Sequence, residues 1–432
     1  MKKNEIGIGL LGLGVVGGGV ARVLLEKARV LSRQVGCPLV LKKVLVRDIH
    51  KSRSVSVEPS LVTTEPEEVL GHPGVDVVVE LMGGESAALS CIQGALSRGR
   101  HVVTANKEVI ARHGPSLLSL AQKNGVELRF EASVGGGIPL VEPFQRDLVA
   151  NDVSAIHSIL NGTTNYILTR MSEDGMDFSL ALKQAQERGY AEPDPSYDIE
   201  GIDATFKLAI LASLAFRSWV DPQMVFSEGI SHLEAKDFRY ARELGYAIKL
   251  LAIAKRGQDS VEARVHPVLV AEDSLLAQVR GVYNAVQVEG DLVGRVILYG
   301  RGAGAQPTSS AVVADIVAVA RNIFSRVMPA RVLNLEERLR VRPMSEVETR
   351  YYMRMNVADQ PGVLAQISKV LGDNRISISQ VIQKETDESS QSAEIVIMTH
   401  VAREEAMQRA LVELKGLGVV REINNFIRVD SS

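Results

Sequence analysis

The stretch Ile6-Gly7-Ile8-Gly9-Leu10-Leu11-Gly12-Leu13-Gly14-Val15-Val16-Gly17 decides the fold of this chain. A short apolar run of strand length ends in G-x-G-x-x-G, formed by Gly12, Gly14 and Gly17, and a helical pattern follows. In that context the first glycine makes the turn, the second lets backbone approach a pyrophosphate, and the third permits the helix to pack on the strand. The phosphates then rest on helix N-terminal amides, so Gly12, Leu13, Gly14, Val15, Val16 and Gly17 are read as a dinucleotide cradle.

Working outward, four more apolar runs alternate with amphipathic stretches: Leu41 to Val46, Val75 to Leu81, His101 to Thr104 and Glu127 to Glu131. That alternation predicts an α/β domain with a doubly wound parallel sheet of Rossmann type. At the end of the second strand an acid binds the ribose 2′-hydroxyl of NAD, whereas an arginine accepts the 2′-phosphate of NADP. Arg47-Asp48 offers both, with Lys51 and Arg53 nearby, so NADP is favoured and NAD stays open.

At 432 residues, with 46% hydrophobic, the chain exceeds the roughly 250 to 300 residues at which single cores stop growing, so two or three domains are expected. A net charge of -3, from acids and bases spread along the chain, gives no basic stripe for nucleic acid. The N-terminal apolar run holds seven glycines and lacks a small-residue cleavage site, which argues against a secretory signal. No segment holds the roughly 18 uncharged apolar residues of a membrane span. Two cysteines, Cys37 and Cys91, are too few for a disulfide framework, so a cytoplasmic location is expected.

Residues 1–136 are read as the NAD(P)-binding domain. Residues 137–306 read as an α+β substrate domain, with strands at Val153 to Leu160 and Val261 to Leu269 and helices at Phe178 to Arg188 and Ile202 to Phe216. The charged, proline-bearing stretch 328–349 reads as a linker. Over 350–432 the predicted order is βαββαβ, which is ferredoxin-like.

Three stretches carry the chemistry: Thr104-Ala105-Asn106-Lys107 after a strand, Gly189-Tyr190-Ala191-Glu192-Pro193-Asp194-Pro195, and Asp198 through Lys207. Asp203 and Lys207 are four apart, hence on one helix face, and the apolar Leu208 to Ala212 beside them predicts burial. A surface ion pair is the usual meaning of such spacing, but burial makes a pair costly and points to a site. A proline-punctuated loop around Glu192 suits a rigid carboxylate. Asp194 and Glu200 read equally well as solvated loop acids.

With Glu131-Ala132-Ser133-Val134-Gly135-Gly136-Gly137-Ile138-Pro139, Asn161-Gly162-Thr163-Thr164-Asn165-Tyr166 and Gly300-Arg301-Gly302-Ala303-Gly304, these motifs resemble homoserine dehydrogenase over almost the whole chain. The resemblance implies interconversion of L-aspartate 4-semialdehyde and L-homoserine. Lys207 would be the proton donor to the carbonyl oxygen, where its charge stabilises a developing alkoxide. Asp203 would orient Lys207 and contact substrate, Glu192 would hold the ammonium group, and Asp198 would help. Lys107 would be both cofactor-adjacent and catalytic, with Thr104, Gly189 and Gly302 near the cofactor. Tyr197 departs from the small or acidic residue of some relatives.

Some members of that family bind a sodium ion through positions matching Glu131, Val134, Gly136 and Ile138, largely by carbonyl oxygens, which hard cations prefer. His157, His232 and His266 lack metal-ligand spacing and read as structural. Asp359-Gln360-Pro361-Gly362-Val363-Leu364 resembles the ACT domain signature, which makes Asn356, Asp359, Gly362, Val363 and Leu364 the expected effector surface, threonine being the family's usual effector. A proline and glycine there also serve simply to start a helix. The resemblance further implies that a helix over 307–326 completes the NAD(P)-binding domain, that residues 137–306 also serve dimerisation, and that the protein is a homodimer or homotetramer. Two other readings compete: another amino-acid pathway dehydrogenase with an ACT tail, which lacks the Glu192 to Lys207 order, and a non-catalytic amino-acid sensor, against which Lys107, Asp203 and Lys207 speak.

Overall fold

The structure is a computed structural model that describes residues 3–327, 339–387 and 391–430. The chain forms two compact units, each assembled from three stretches: Met1–Ser154 with Phe206–Pro222 and Val288–Leu339, and Ala155–Thr205 with Gln223–Gln287 and Arg340–Ser432.

In the first unit the strands are β1 (Ile6–Leu11), β2 (Leu39–Leu45), β3 (Val62–Thr63), β4 (Val77–Glu80), β5 (His101–Thr104) and β6 (Leu128–Arg129), in the order β3-β2-β1-β4-β5-β6. All neighbours pair in parallel. The order reverses between β1 and β4, and a crevice opens there at the carboxyl ends of the strands. Ile6, Ile8 and Leu10 are fully buried, as strands covered on both faces require. The helix Ala305–Ser325 packs on this sheet through Val312, Val313, Ile316, Val319 and Ala320, the i, i+3, i+4 spacing of one helix face. It crosses the helix Val15–Glu26 at Gly19, where a Cβ would stand 2.3 Å from Ser309 Oγ.

The strand predicted over Glu127 to Glu131 ends early. Glu131–Ser133 is a 3-10 turn, because the Glu131 carboxylate is drawn onto the backbone N–H groups of Leu140 and Val141 (Oε1, 2.6 and 2.9 Å) and Glu142 (Oε2, 2.7 Å).

In the second unit the sheet runs, by strand, Val153–Ile159, Tyr246–Arg256, Ser260–Ala271, Val420–Val429, Glu348–Ala358, Ser392–Thr399, Ile378–Asp387. The last four, with helices Val363–Asp373 and Glu404–Lys415, form the βαββαβ arrangement. This part shares its sheet with the strands that precede it: Val268 and Leu269 pair in parallel with Arg428 and Val429. Of the stretch read as a linker, 328–338 lies outside the described residues, and Arg340–Val341 pairs in parallel with Ser260–Val261.

Along Glu348–Ala358 the two-residue period divides the labour. Tyr351, Met353, Met355 and Val357 enter the core under the two helices. Tyr352 and Arg354 point the other way, to the helix Ala235–Glu243. There Arg354 Nε donates to Asp237 Oδ1 at 2.7 Å and Nη1 to Glu394 Oε2 at 3.1 Å, with Arg354 1% and Asp237 0% exposed.

The helix Gly162–Asp174 and the strand Tyr246–Arg256 are each fastened to the segment 279–283 by a buried polar group. Asn165 Nδ2 donates to the carbonyls of Gly281 (2.9 Å) and Tyr283 (3.1 Å), and Lys249 Nζ donates to Val279 O at 2.5 Å. Burial, helped by the Arg280 charge, lowers the Lys249 ammonium to about 8. Among the described residues no helix is long and apolar enough to cross a membrane.

The depressed Lys249 value fixes a sign. The unfolded chain holds the proton up to its ordinary value near 10.5, so stability rises as pH climbs from about 8 towards 10.5. In Lys249→Met, urea unfolding at a series of pH values is expected to show that rise abolished, with stability at pH 7 higher than wild type by about 1–3 kcal/mol.

Candidate active site

The cradle predicted at residues 12–17 has three different glycine environments. Gly12 adopts φ +98°, and a Cβ there would stand 2.7 Å from the Leu81 carbonyl oxygen. Gly17 is pressed on the Gly12 carbonyl, where a Cβ would come within 2.0 Å. Gly14, the N-cap of the helix Val15–Glu26, has no atom within 4 Å of its Cβ position, and no side chain caps the helix. An uncapped helix start with open space at Gly14 fits a pyrophosphate.

At the sheet reversal a cavity of about 230 Å³ is lined by Val16, Glu80, Leu81, Gly83 and the Ala105–Glu108 turn. Its floor is polar. Thr104 Oγ1 donates to Glu80 Oε2 at 2.6 Å and accepts from Asn106 N–H at 3.0 Å, so the Thr104 side chain braces the turn. Burial pushes the Glu80 carboxyl up from its ordinary value. Asn106 caps the helix Lys107–Lys123 by accepting from Val109 N–H at 3.2 Å and donates to Gly84 O at 2.7 Å. Lys107 therefore stands at the first position of a fixed helix, on the cavity wall.

After β2, Arg47 and Asp48 are both exposed. Asp48 Oδ1 accepts from His50 N–H at 2.8 Å and so closes its own turn. Gly302 contributes its carbonyl to a close approach, 2.5 Å from a Cβ at Gly136, while Gly135 and Gly136 have φ +70° and +55°.

In the second unit, Asn161 Nδ2 donates to Asp198 Oδ1 at 2.7 Å and to Asp203 Oδ2 at 2.9 Å. Asn161 also caps the helix Gly162–Asp174, its Oδ1 accepting from Thr164 N–H at 2.8 Å. Asp203 begins the helix Ile202–Phe216 that carries Lys207 one turn later, and the two are 3% and 9% exposed. The burial predicted from the apolar run is present.

Glu192 is exposed on a loop whose backbone is tied down: Gln186 Nε2 donates to the Glu192 carbonyl at 3.2 Å, and Thr163 Oγ1 to the Tyr190 carbonyl at 2.7 Å. Gly189, φ +71° with open space around it, serves that turn. Asp194 accepts from Ser196 Oγ (2.5 Å) and N–H (3.1 Å), the first of which holds its carboxyl below the usual range.

In the βαββαβ part, Gly362 takes φ +88° as N-cap of Val363–Asp373. Val363 is buried in the core and offers only backbone, Leu364 is exposed, Asp359 N–H donates to Gln391 O at 3.0 Å, and buried Asn356 Oδ1 has no hydrogen-bond partner among the described residues. His266 is fully buried, which pushes its imidazole well below the ordinary value, and His157 Nε2 lies 3.5 Å from Asp430 Oδ1.

Four residues now stand out that sequence reasoning gave no role: Glu80, Asn106, Asn161 and Thr163. Glu80 was signalled by being an acid inside the apolar run Val75 to Leu81. Asn161 and Thr163 lie in a quoted motif, but nothing in spacing shows which side chains they hold.

Three family models match the chain: "Homoserine dehydrogenase, NAD binding domain" over residues 12–131, "Homoserine dehydrogenase" over 139–317 and "ACT domain" over 351–419. A homoserine dehydrogenase of Neisseria gonorrhoeae is 42% identical over 437 residues, 99% of either chain. One from Bacillus subtilis is 38% identical over 429 residues, again 99% of each. Among solved structures, a homoserine dehydrogenase from Thiobacillus denitrificans superposes with TM-score 0.93 at 41% identity, covering 100% of this chain and 99% of that one. A hyperthermophilic archaeal homoserine dehydrogenase in complex with NADPH gives TM-score 0.61 at 27% identity, covering 73% and 97%.

The glycine environments make separable predictions. Gly14→Ala is expected to leave the thermal midpoint unchanged and weaken NADPH binding roughly tenfold or more, because only the ligand meets the new methyl. Gly12→Ala is expected to lose both, with about 1–3 kcal/mol of strain from its left-handed backbone. Fluorescence titration beside thermal unfolding reads the difference.

Proposed function

The chain belongs to the homoserine dehydrogenase family, and from that premise we propose how its own residues carry out the reaction. It is an NAD(P)-dependent oxidoreductase with a C-terminal ACT domain. The observation that carries the assignment of roles is Asn161, which brings Asp198 and Asp203 to one amide at the head of the buried helix bearing Lys207.

In this reading Glu192 holds the substrate ammonium, with Asp198 and Asp203 completing the polar wall. Lys207 Nζ donates a proton to the carbonyl oxygen of L-aspartate 4-semialdehyde and takes it back in homoserine oxidation. Its charge stabilises the alkoxide as it forms, and Asp203, one turn earlier on the same helix, orients it. Lys107, at the first turn of its helix on the cavity wall, contributes a second positive charge. The bound nicotinamide supplies or accepts the hydride.

NADP is the preferred cofactor and NAD an alternative: Asp48 is engaged with its own turn, while Arg47 lies exposed for a 2′-phosphate. A sodium ion at Glu131, Val134, Gly136 and Ile138 fits, by carbonyl oxygens, since both oxygens of the Glu131 side chain already accept backbone N–H groups. The effector is threonine at Asn356, Asp359 and Gly362 to Leu364, where the unpartnered Asn356 Oδ1 offers an acceptor. We assign cofactor binding to 1–136 with 307–326, substrate binding and dimerisation to 137–306, and regulation to 350–432, in a cytoplasmic homodimer or homotetramer.

The test is oxidation of L-homoserine with NADP and then NAD, with and without threonine. Lys207→Ala is expected to lower kcat about 10²- to 10⁴-fold with dinucleotide binding retained. A wild-type protein that binds both cofactors yet turns over with neither, in either direction, replaces these roles with those of an amino-acid sensor.

A further inference from the structure

The turn Ile199–Gly201 separates Asp198 from Asp203, and the segment Ser227–Ser231 grips it from behind. Ile230 N–H donates to the Ile199 carbonyl and Ser227 Oγ to the Glu200 carbonyl, both at 2.9 Å. Gly229 lies so close that a Cβ would stand 2.6 Å from Ile199 O and 2.9 Å from Glu200 Cα. Gly201, at φ +78°, is equally confined, its Cβ position 2.9 Å from Ser227 Oγ and 3.2 Å from Val265 Cγ1. With no slack on either side, a shift of one backbone is a shift of the other.

The segment is itself held at Glu228. Its N–H donates to Val265 O at 2.8 Å, and its Oε2 accepts from Arg428 Nη1 at 2.8 Å. His232 Nε2 lies 3.5 Å from the other oxygen. Arg428 belongs to the last strand of the ACT domain and has little freedom. Nε and Nη2 reach the two oxygens of Glu404 at 2.9 and 2.6 Å, and the rings of Phe226 and Phe426 lie 5.1 and 5.4 Å from the guanidinium. Loss of Glu228 leaves Arg428 neutralised by Glu404, so the ion pair between them is not what keeps the buried guanidinium compensated.

We infer that Glu228 and Arg428 are positioning residues for substrate binding. Their ion pair sets the segment 227–231, which sets the turn that spaces Asp198 from Asp203. The ACT domain thereby reaches the substrate-binding carboxylates Asp198 and Asp203 through the Glu228–Arg428 ion pair. The inference rests on the assignment of Asp198 and Asp203 to substrate.

The experiment compares steady-state kinetics and thermal unfolding of Glu228→Gln, Arg428→Lys, Glu394→Gln and Asp203→Asn in the full chain. Glu228→Gln, which removes charge but not volume, is expected to raise the KM for L-homoserine roughly three- to thirtyfold, with kcat and the KM for NADP within about twofold. Arg428→Lys, which keeps the charge but loses the fork, is expected to fall between it and wild type. Glu394→Gln weakens the separate contact to Arg354, which does not touch Ile199–Gly201, and is expected to lower the thermal midpoint without moving the homoserine KM. An unchanged homoserine KM in Glu228→Gln, or an equal rise in Glu394→Gln, overturns the inference while leaving the assigned roles intact. An unchanged homoserine KM in Asp203→Asn overturns those roles themselves. Should Glu228→Gln fail to fold, Arg428→Lys against Glu394→Gln decides the same question.

Discussion

Two acidic side chains, Asp198 and Asp203, meet at one amide nitrogen, and the geometry of this unit depends on that junction. Asn161 Nδ2 donates to Asp198 at 2.7 Å and to Asp203 at 2.9 Å. Its Oδ1 meanwhile caps the helix that follows, so the amide cannot rotate without uncapping it. Asp198 sits on a one-turn helix, Ser196–Ile199, and Asp203 opens the next, which leaves the short turn between them to set the spacing.

That arrangement depends on how the rest of the unit is fastened. The helix begun by Asn161 is anchored through Asn165 to the carbonyls of Gly281 and Tyr283, and the strand Tyr246–Arg256 is anchored through Lys249 to the carbonyl of Val279. A buried ammonium is an expensive anchor, since burial lowers its pKa, and its retention fits the fixing of one geometry and not maximal stability. The ACT domain is tied down by ion pairs, of which Arg354–Asp237 and Arg428–Glu228 reach elements outside it. Arg354 with Asp237 and Glu394, and Arg428 with Glu404 and Glu228, are ion pairs between elements far apart in sequence. The ACT β-sheet thus presents one face to its own helices and the other, through Tyr352 and Arg354, to the helix Ala235–Glu243. The ACT domain is thus continuous with the compact unit that carries Asn161, Asp198 and Asp203.

What the sequence alone determined was whatever depends on near neighbours. The strand Ile6–Leu11, the helix Ile202–Phe216 and the βαββαβ order are legible because apolar periodicity is a local property. The glycine spacing at 12, 14 and 17 is legible for the same reason. Burial of Asp203 and Lys207 followed from their apolar neighbours on one helix, while the family and its reaction followed from several motifs in order.

Tertiary structure decided everything that needs a partner distant in the chain. Glu131 left its strand because three amides nine to eleven residues on offered its carboxylate a better place than solvent. The supposed linker forms a strand at Arg340–Val341 because an edge at Ser260–Val261 leaves backbone groups to be paired. Glu80, Asn161, Glu228 and Arg428 acquire their meaning from Thr104, Asp198, Ile199–Gly201 and Phe226. No periodicity encodes those neighbours, since hydrogen bonds and ion pairs form between side chains that folding, and not spacing, brings together.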